Sequence, residues 1–160
     1  MTREAAVTDI SAGERPHILV VEDNDADVFL LKEAISVHRI GVALHVVENG
    51  ALAIAYIESI DKNPGTACPL LCLLDMNLPL RSGPEVLRQL RQSKRLAGIP
   101  AIIMTSSRSQ NDREDVIRLG ASAYFHNRSA TANSWTSAIY CAVTCPRVSR
   151  KRGEKPHRRY

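Results

Sequence analysis

Aromatic residues are scarce in this chain of 160 residues: one Trp, four Tyr and two Phe, 4% in all. That leaves no ring platform on which single-stranded nucleic acid could stack. No apolar run approaches the roughly 20 residues of a membrane span. Met1 to Arg15 carries charges throughout and lacks the apolar core of a secretory signal. These absences predict a cytoplasmic protein without a membrane partner. Cysteines number only four, as two C-x3-C pairs, Cys68/Cys72 and Cys141/Cys145. A zinc site more usually spaces its ligands C-x2-C in a turn. Cys72 stands inside the apolar run Leu70–Leu74, where a small buried thiol is expected. A cytoplasmic setting also disfavours disulfides.

What the chain does have is 44% hydrophobic and 24% charged residues, the composition of an ordinary globular domain. Its net charge of +4 is unevenly placed. Residues 147–160 hold seven of the 21 Lys and Arg and one of the 17 acids, so that stretch carries +6 and the rest −2. We expect residues 145–160 to be a basic, disordered tail and residues 1–15 an N-terminal extension, with one domain over 16–144.

The apolar pattern alternates in kind. His17–Val21 is short and β-branched, as a buried strand is. Asp25 is placed to cap a following helix with Val28, Leu31 and Ile35 inward. Ala43–Val47 reads as a second strand, and Asn49-Gly50 opens a helix with Leu52, Ala55, Tyr56 and Ser59 along one face. Leu70–Leu74 is uniformly apolar, which suits a central strand covered on both faces, and it ends in Asp75. Ser82 and Pro84 begin a third helix, with Val86, Leu87, Leu90 and Ser93 inward. Ile99–Met104 is a fourth strand, Gln110–Leu119 a helix closed by Gly120, and Ala123–His126 a fifth strand. The order predicts an α/β fold: a doubly wound, five-stranded parallel sheet with helices on both faces. A last helix over residues 133–143 has only a thin stripe, Trp135, Ile139 and Val143.

Sites in such sheets lie beyond the carboxyl ends of the strands. The residues expected there are Glu22, Asp23, Asp75, Thr105 and Asn127. Three carboxylates brought together stay ionised only beside a cation. Mg2+ prefers such oxygen ligands, and a carboxylate can also attack phosphorus. Asp75, at the end of the most apolar strand, is the best nucleophile, and Thr105 offers a hydroxyl to a phosphoryl oxygen.

Four stretches at those strand ends resemble a known family: Ile18-Leu19-Val20-Val21-Glu22-Asp23-Asn24, Leu73-Leu74-Asp75-Met76-Asn77-Leu78-Pro79 with Gly83, Ile102-Ile103-Met104-Thr105-Ser106, and Gly120-Ala121-Ser122-Ala123-Tyr124. Residues 16–126 thereby resemble the response-regulator receiver domains of two-component signalling. The stretches Gly50–Cys68 and Arg81–Ile99 resemble the stand-alone regulators that accompany bacterial phytochromes. The resemblance implies that Asp75 accepts a phosphoryl group from a sensor histidine kinase, of phytochrome type. It implies Mg2+ held by Asp23, Asp75 and the backbone carbonyl of Asn77, with Glu22 acting through water. Thr105 corresponds to the switch hydroxyl and Tyr124 to the switch aromatic. A downstream protein would read the change, and the fourth helix and fifth strand could pair two copies as a homodimer. No DNA-binding domain is expected, and the chain is expected to be a signalling protein rather than an enzyme.

The pattern departs from the family at one position. A lysine followed by proline is expected three residues after the switch aromatic, where this chain has Asn127-Arg128. An amide brings no charge, so a charge-assisted bond of about 1.5–3 kcal/mol to the phosphoryl group would be missing. Self-catalysed transfer and dephosphorylation would be weakened. The alternative is therefore a degenerate receiver that binds partners without phosphorylation. Loss of one base from codons such as AAG-CCG, Lys-Pro, would read Asn-Arg. The end after His126 is thus either an out-of-frame reading or a naturally diverged one, which the gene itself distinguishes. An aspartate-nucleophile phosphatase wants a second acid two residues on, where Asn77 stands. A flavodoxin-like cofactor binder wants a glycine-rich phosphate loop after the first strand, where acids stand.

Overall fold

The structure, a computed structural model, describes residues 16–106, 110–126 and 139. The expected extension over 1–15, Asn127, the helix over 133–143 apart from Ile139, and the tail lie outside those residues. The described chain alternates strand and helix: β1 (His17–Val21), α1 (Asp25–Val37), β2 (Ala43–Val47), α2 (Gly50–Lys62), β3 (Cys72–Asp75), α3 (Gly83–Gln92), β4 (Ala101–Thr105), α4 (Gln110–Arg118) and β5 (Ala123–His126). The five strands pair in parallel in the order β2-β1-β3-β4-β5. The order reverses between β1 and β3, so the ends of those two strands flank the crevice where ligands bind in open α/β sheets.

Strand alternation divides the core into two layers. Leu19, Val21, Cys72, Leu74, Ala101 and Ile103 pack with α2, α3 and Val116 of α4. Ile18, Val20, Leu73, Ile102 and Met104 pack with Leu31 and Ala34 of α1 and with Ile139. Ile139 is helical and fully buried, so it covers the same sheet face as α1.

Three expectations need correction. The α1 cap is Asn24, whose side-chain oxygen accepts the Ala26 N–H at 2.9 Å, and Asp25 is the first helical residue. An Asn oxygen caps as well as an Asp oxygen. On α2 the buried residues are Gly50, Ala53, Ile57 and Ile60, whereas Leu52, Ala55 and Ser59 are exposed and Tyr56 is half-buried. Small residues on both faces of α2 blur its stripe, and the packing of the sheet decides between them. Leu70 lies outside β3 and is 39% exposed, because β3 begins at Cys72 and includes Asp75.

The site-bearing loop after β3 is held from both sides. The Gly83 N–H donates to the Met76 carbonyl at 3.1 Å, and the Gly50 N–H to the Pro79 carbonyl at 3.2 Å. Glu85 accepts the Ser82 N–H at 2.8 Å and its hydroxyl at 3.0 Å, closing the first turn of α3. Leu80, within this loop, has a φ of 66° and is 78% exposed.

Candidate functional site

At the carboxyl end of the sheet a cavity of about 150 Å³ is lined by Glu22, Asp23, Asn24, Asp27, Asp75, Asn77, Met104, Thr105 and Ser106. Glu22 and Asp23 follow β1, Asp75 ends β3 and Thr105 ends β4. Parallel pairing in register delivers them to one edge: Val21 lies beside Leu74, and Asp75 beside Met104. One carboxylate oxygen from each of Glu22, Asp23 and Asp75 lies within 4.8 Å of the others.

These acids sit in an environment that opposes their charge. Glu22 is 6% exposed. Burial pushes its carboxyl up to about 7, with Asp75, Asp27 and Asp23 adding repulsion against the opposing Asn24 N–H, which it accepts at 3.0 Å. Asp75 is likewise raised, chiefly by burial and then by Asp23 and Asp27, against N–H donation from Met76 and Asn77. The Met76 N–H lies 2.7 Å from Asp75 Oδ1.

Asp27 was not singled out from the sequence. It is also raised, by burial and by Asp23. Asp27 lies in the first turn of α1, two residues past its first helical residue, and lines the cavity with Asp23. Thr105 is 1% exposed at the mouth of the same cavity. Tyr124 lies farther back on β5, beside Ile103, with the Arg113 guanidinium 5.9 Å from its ring centroid. The described geometry thus gathers Glu22, Asp23, Asp75, Asn77 and Thr105, and sets Tyr124 on the neighbouring strand.

The donor set suits a small hard divalent cation. It is made of oxygens, and repulsion among its acids is relieved by positive charge. The sign of the pH dependence follows. An acid whose folded value is raised stabilises fully below its unfolded value and loses that contribution as pH rises through the folded one. Without metal, Glu22 should therefore cost stability as pH climbs from about 4.5 to about 7. With Mg2+ at about one hundred times its Kd, about 2.7 kcal/mol should be added. The Mg2+-induced rise in melting temperature is expected to grow between about pH 6 and pH 8 and to shrink in Asp27→Asn. A rise independent of pH would remove these carboxylates from the binding step.

Comparison with known proteins points the same way. The model of the response regulator receiver domain family matches residues 18–133. Response regulator Rcp1 of Synechocystis sp. is 35% identical over 95 residues, 59% of this chain and 65% of Rcp1, so the match spans just under two thirds of that relative. The probable methanogenesis regulatory protein FilR2 of Methanothrix harundinacea is 36% identical over 107 residues, 65% of this chain and 67% of its own length. The crystal structure of the phosphorylated cyanobacterial phytochrome response regulator RcpA is 27% identical, with a TM-score of 0.71 over 82% of this chain and 96% of RcpA. The Mn2+-bound form of Rcp1 is 25% identical in its structural match, with a TM-score of 0.70 over 88% of this chain and 99% of that one. Among the described residues no helix is long and apolar enough to cross a membrane.

Proposed function

The chain belongs to the response-regulator receiver family of two-component signalling, and on that premise we propose that it is a phospho-receiver whose acceptor is Asp75. The observation that carries this reading is the convergence of Glu22, Asp23 and Asp75 within 4.8 Å, with buried Thr105 at the same cavity. A carboxylate oxygen of Asp75 attacks phosphorus, the P–N bond of a kinase phosphohistidine breaks, and the imidazole nitrogen leaves with the electron pair. Glu22, Asp23, Asp75 and the backbone of Asn77 would hold Mg2+, which supplies charge neutralisation for the incoming phosphoryl oxygens. The Met76 N–H fixes the orientation of the attacking carboxylate. The Thr105 hydroxyl donates to a phosphoryl oxygen, and Tyr124 on β5 follows its movement, changing the surface of α4 and β5 for a downstream protein. Likeness to the phytochrome response regulator RcpA supports a kinase of phytochrome type.

Asn127 favours a second reading, a receiver that binds its partner without being phosphorylated, because an amide there supplies no charge to the phosphoryl group. Intact mass after incubation with Mg2+ and acetyl phosphate separates the two. The expected result is one phosphoryl adduct that needs Mg2+ and is absent from Asp75→Asn. A folded wild-type chain that gains no adduct from either this donor or a phosphorylated kinase would overturn the phospho-receiver reading and favour the second one.

A further inference from the structure

Asp27 is a fourth acid on the wall of the cavity that Glu22, Asp23 and Asp75 share, and it is half-buried there. None of its carboxylate oxygens joins the cluster in which those three lie within 4.8 Å of one another. The helix does not employ it either. The α1 cap is Asn24. An acid in the place of Asp27, three residues after the cap, closes a capping box by accepting the cap's own N–H. Here the Asn24 N–H goes to Glu22 instead, at 3.0 Å. Among the described residues the Asp27 carboxylate makes no hydrogen bond and no ion pair. What it brings to the cavity is its charge. No Lys, Arg or His among the described residues lines that cavity. Asn127, where a lysine is expected, adds no positive charge.

We propose that Asp27 is a charge filter for this pocket: it attracts the cation and repels the anionic phosphodonor, acting on both through space and not as a metal ligand. A carboxylate that binds a metal directly has its charge offset by that metal. Asp27, outside the cluster, keeps its own. In a half-buried cavity water screens that charge less than it does at the open surface, so any ion that enters feels it. The two ions that must meet there carry opposite signs. A fourth negative charge favours a divalent cation. It opposes a phosphoryl donor, whose negative oxygens come in toward Asp75.

Removing the charge therefore acts in two directions. Cation binding should weaken while reaction with the donor quickens. Loss of a ligand, or of a merely structural contact, would lower both. The inference rests on the reading of Asp75 as phosphoacceptor. With acetyl phosphate the bond formed is between an Asp75 oxygen and phosphorus, the bond broken is the P–O bond of the donor, and acetate leaves with the electron pair.

The test uses the full chain at about pH 8, where carboxylates are ionised. Mg2+ alone is titrated first, and its binding is read from the rise in melting temperature. Asp27→Asn should weaken it about three- to tenfold, and Asp23→Asn far more. Acetyl phosphate is then added at saturating Mg2+, and the adduct is timed by intact mass. Asp27→Asn should now react about three- to tenfold faster than wild type. Asp27→Glu, which restores the charge, should bring both values back toward wild type. Asp25→Asn removes an equal charge from an exposed residue of the same turn that does not line the cavity, and should change neither by more than about twofold. Asp27→Ser serves if the Asn variant folds poorly. An unchanged Mg2+ affinity, or an adduct rate that stays level or falls, overturns the filter. So does a loss of Mg2+ binding as complete as in Asp23→Asn, which would make Asp27 a ligand. If neither wild type nor Asp27→Asn forms an adduct, the phospho-receiver reading falls and the filter with it, whereas equal rates in the two overturn the filter alone.

Discussion

Asp75→Asn is expected to stabilise the metal-free protein while destroying its reaction with a phosphodonor. The two effects have one cause. Asp75 is pushed toward its neutral form by burial and by Asp23 and Asp27, and Glu22 is pushed up to about 7 in part by Asp75. An amide removes one buried charge and one repulsive neighbour together. Its oxygen still accepts the Met76 N–H that Asp75 Oδ1 now accepts at 2.7 Å, so the loop loses little. The metal-free melting temperature at about pH 8 should rise by roughly 2–8 °C, the shift that 1 kcal/mol gives in domains near this size. The increment on adding Mg2+ should shrink at the same time, because one of three carboxylate ligands has gone. A metal-free melting temperature that falls would mean that N–H donation from Met76 and Asn77 to the ionised carboxylate outweighs its burial. Stability held back at a reactive site is the pattern expected where function sets the residues.

The fold was legible because each of its signals is local. β1, β2 and β4 are short runs with β-branched residues and β3 lies in a uniformly apolar one, and β1, β2 and β5 have in the structure the bounds expected from the sequence. The convergence of Glu22, Asp23, Asp75 and Thr105 was legible for a topological reason: strand–helix alternation makes the sheet parallel, and a parallel sheet sends all strand ends to one edge. Packing choices within elements were less visible. On α2 an alanine-rich helix offers two candidate faces, and only the seating of Ala53, Ile57 and Ile60 against β1 and β3 selects one. Asp27 was passed over because an acid in a first helical turn is an ordinary partner for the helix dipole. Its place in the cavity depends on how α1 leaves β1. The stacking of Tyr56 on His45 and the 2.9 Å hydrogen bond between Tyr56 and His17 were invisible for another reason. These contacts join β1, β2 and α2 through a strand register that no single segment encodes.

Gly83→Ala is expected to be among the most damaging small substitutions in the chain. Gly83 begins α3 directly after the acceptor loop, and its N–H is bonded to the Met76 carbonyl. A Cβ there would meet the Asp75 carbonyl oxygen and lie 2.8 Å from the Met76 Cα. Both are backbone atoms next to the reactive carboxylate, so no rotamer change can relieve the clash. Either α3 lifts from the sheet, where Val86, Leu87 and Leu90 are fully buried, or the end of β3 moves and carries Asp75 out of register with Glu22 and Asp23. The loss should be about 3 kcal/mol, at the upper end of overpacking penalties. Chemical denaturation should show it as a lower midpoint with an unchanged slope. Gly65→Ala is the control: nothing lies within 4 Å of its Cβ, and its effect should stay within about 0.5 kcal/mol. If the two substitutions cost the same, close approach of α3 to the Asp75 backbone is not what Gly83 provides. If Gly83→Ala costs stability yet leaves the rate of phosphoryl adduct formation unchanged, the strain is taken up by α3 rather than by β3. The carboxylate geometry would then be set by the sheet alone.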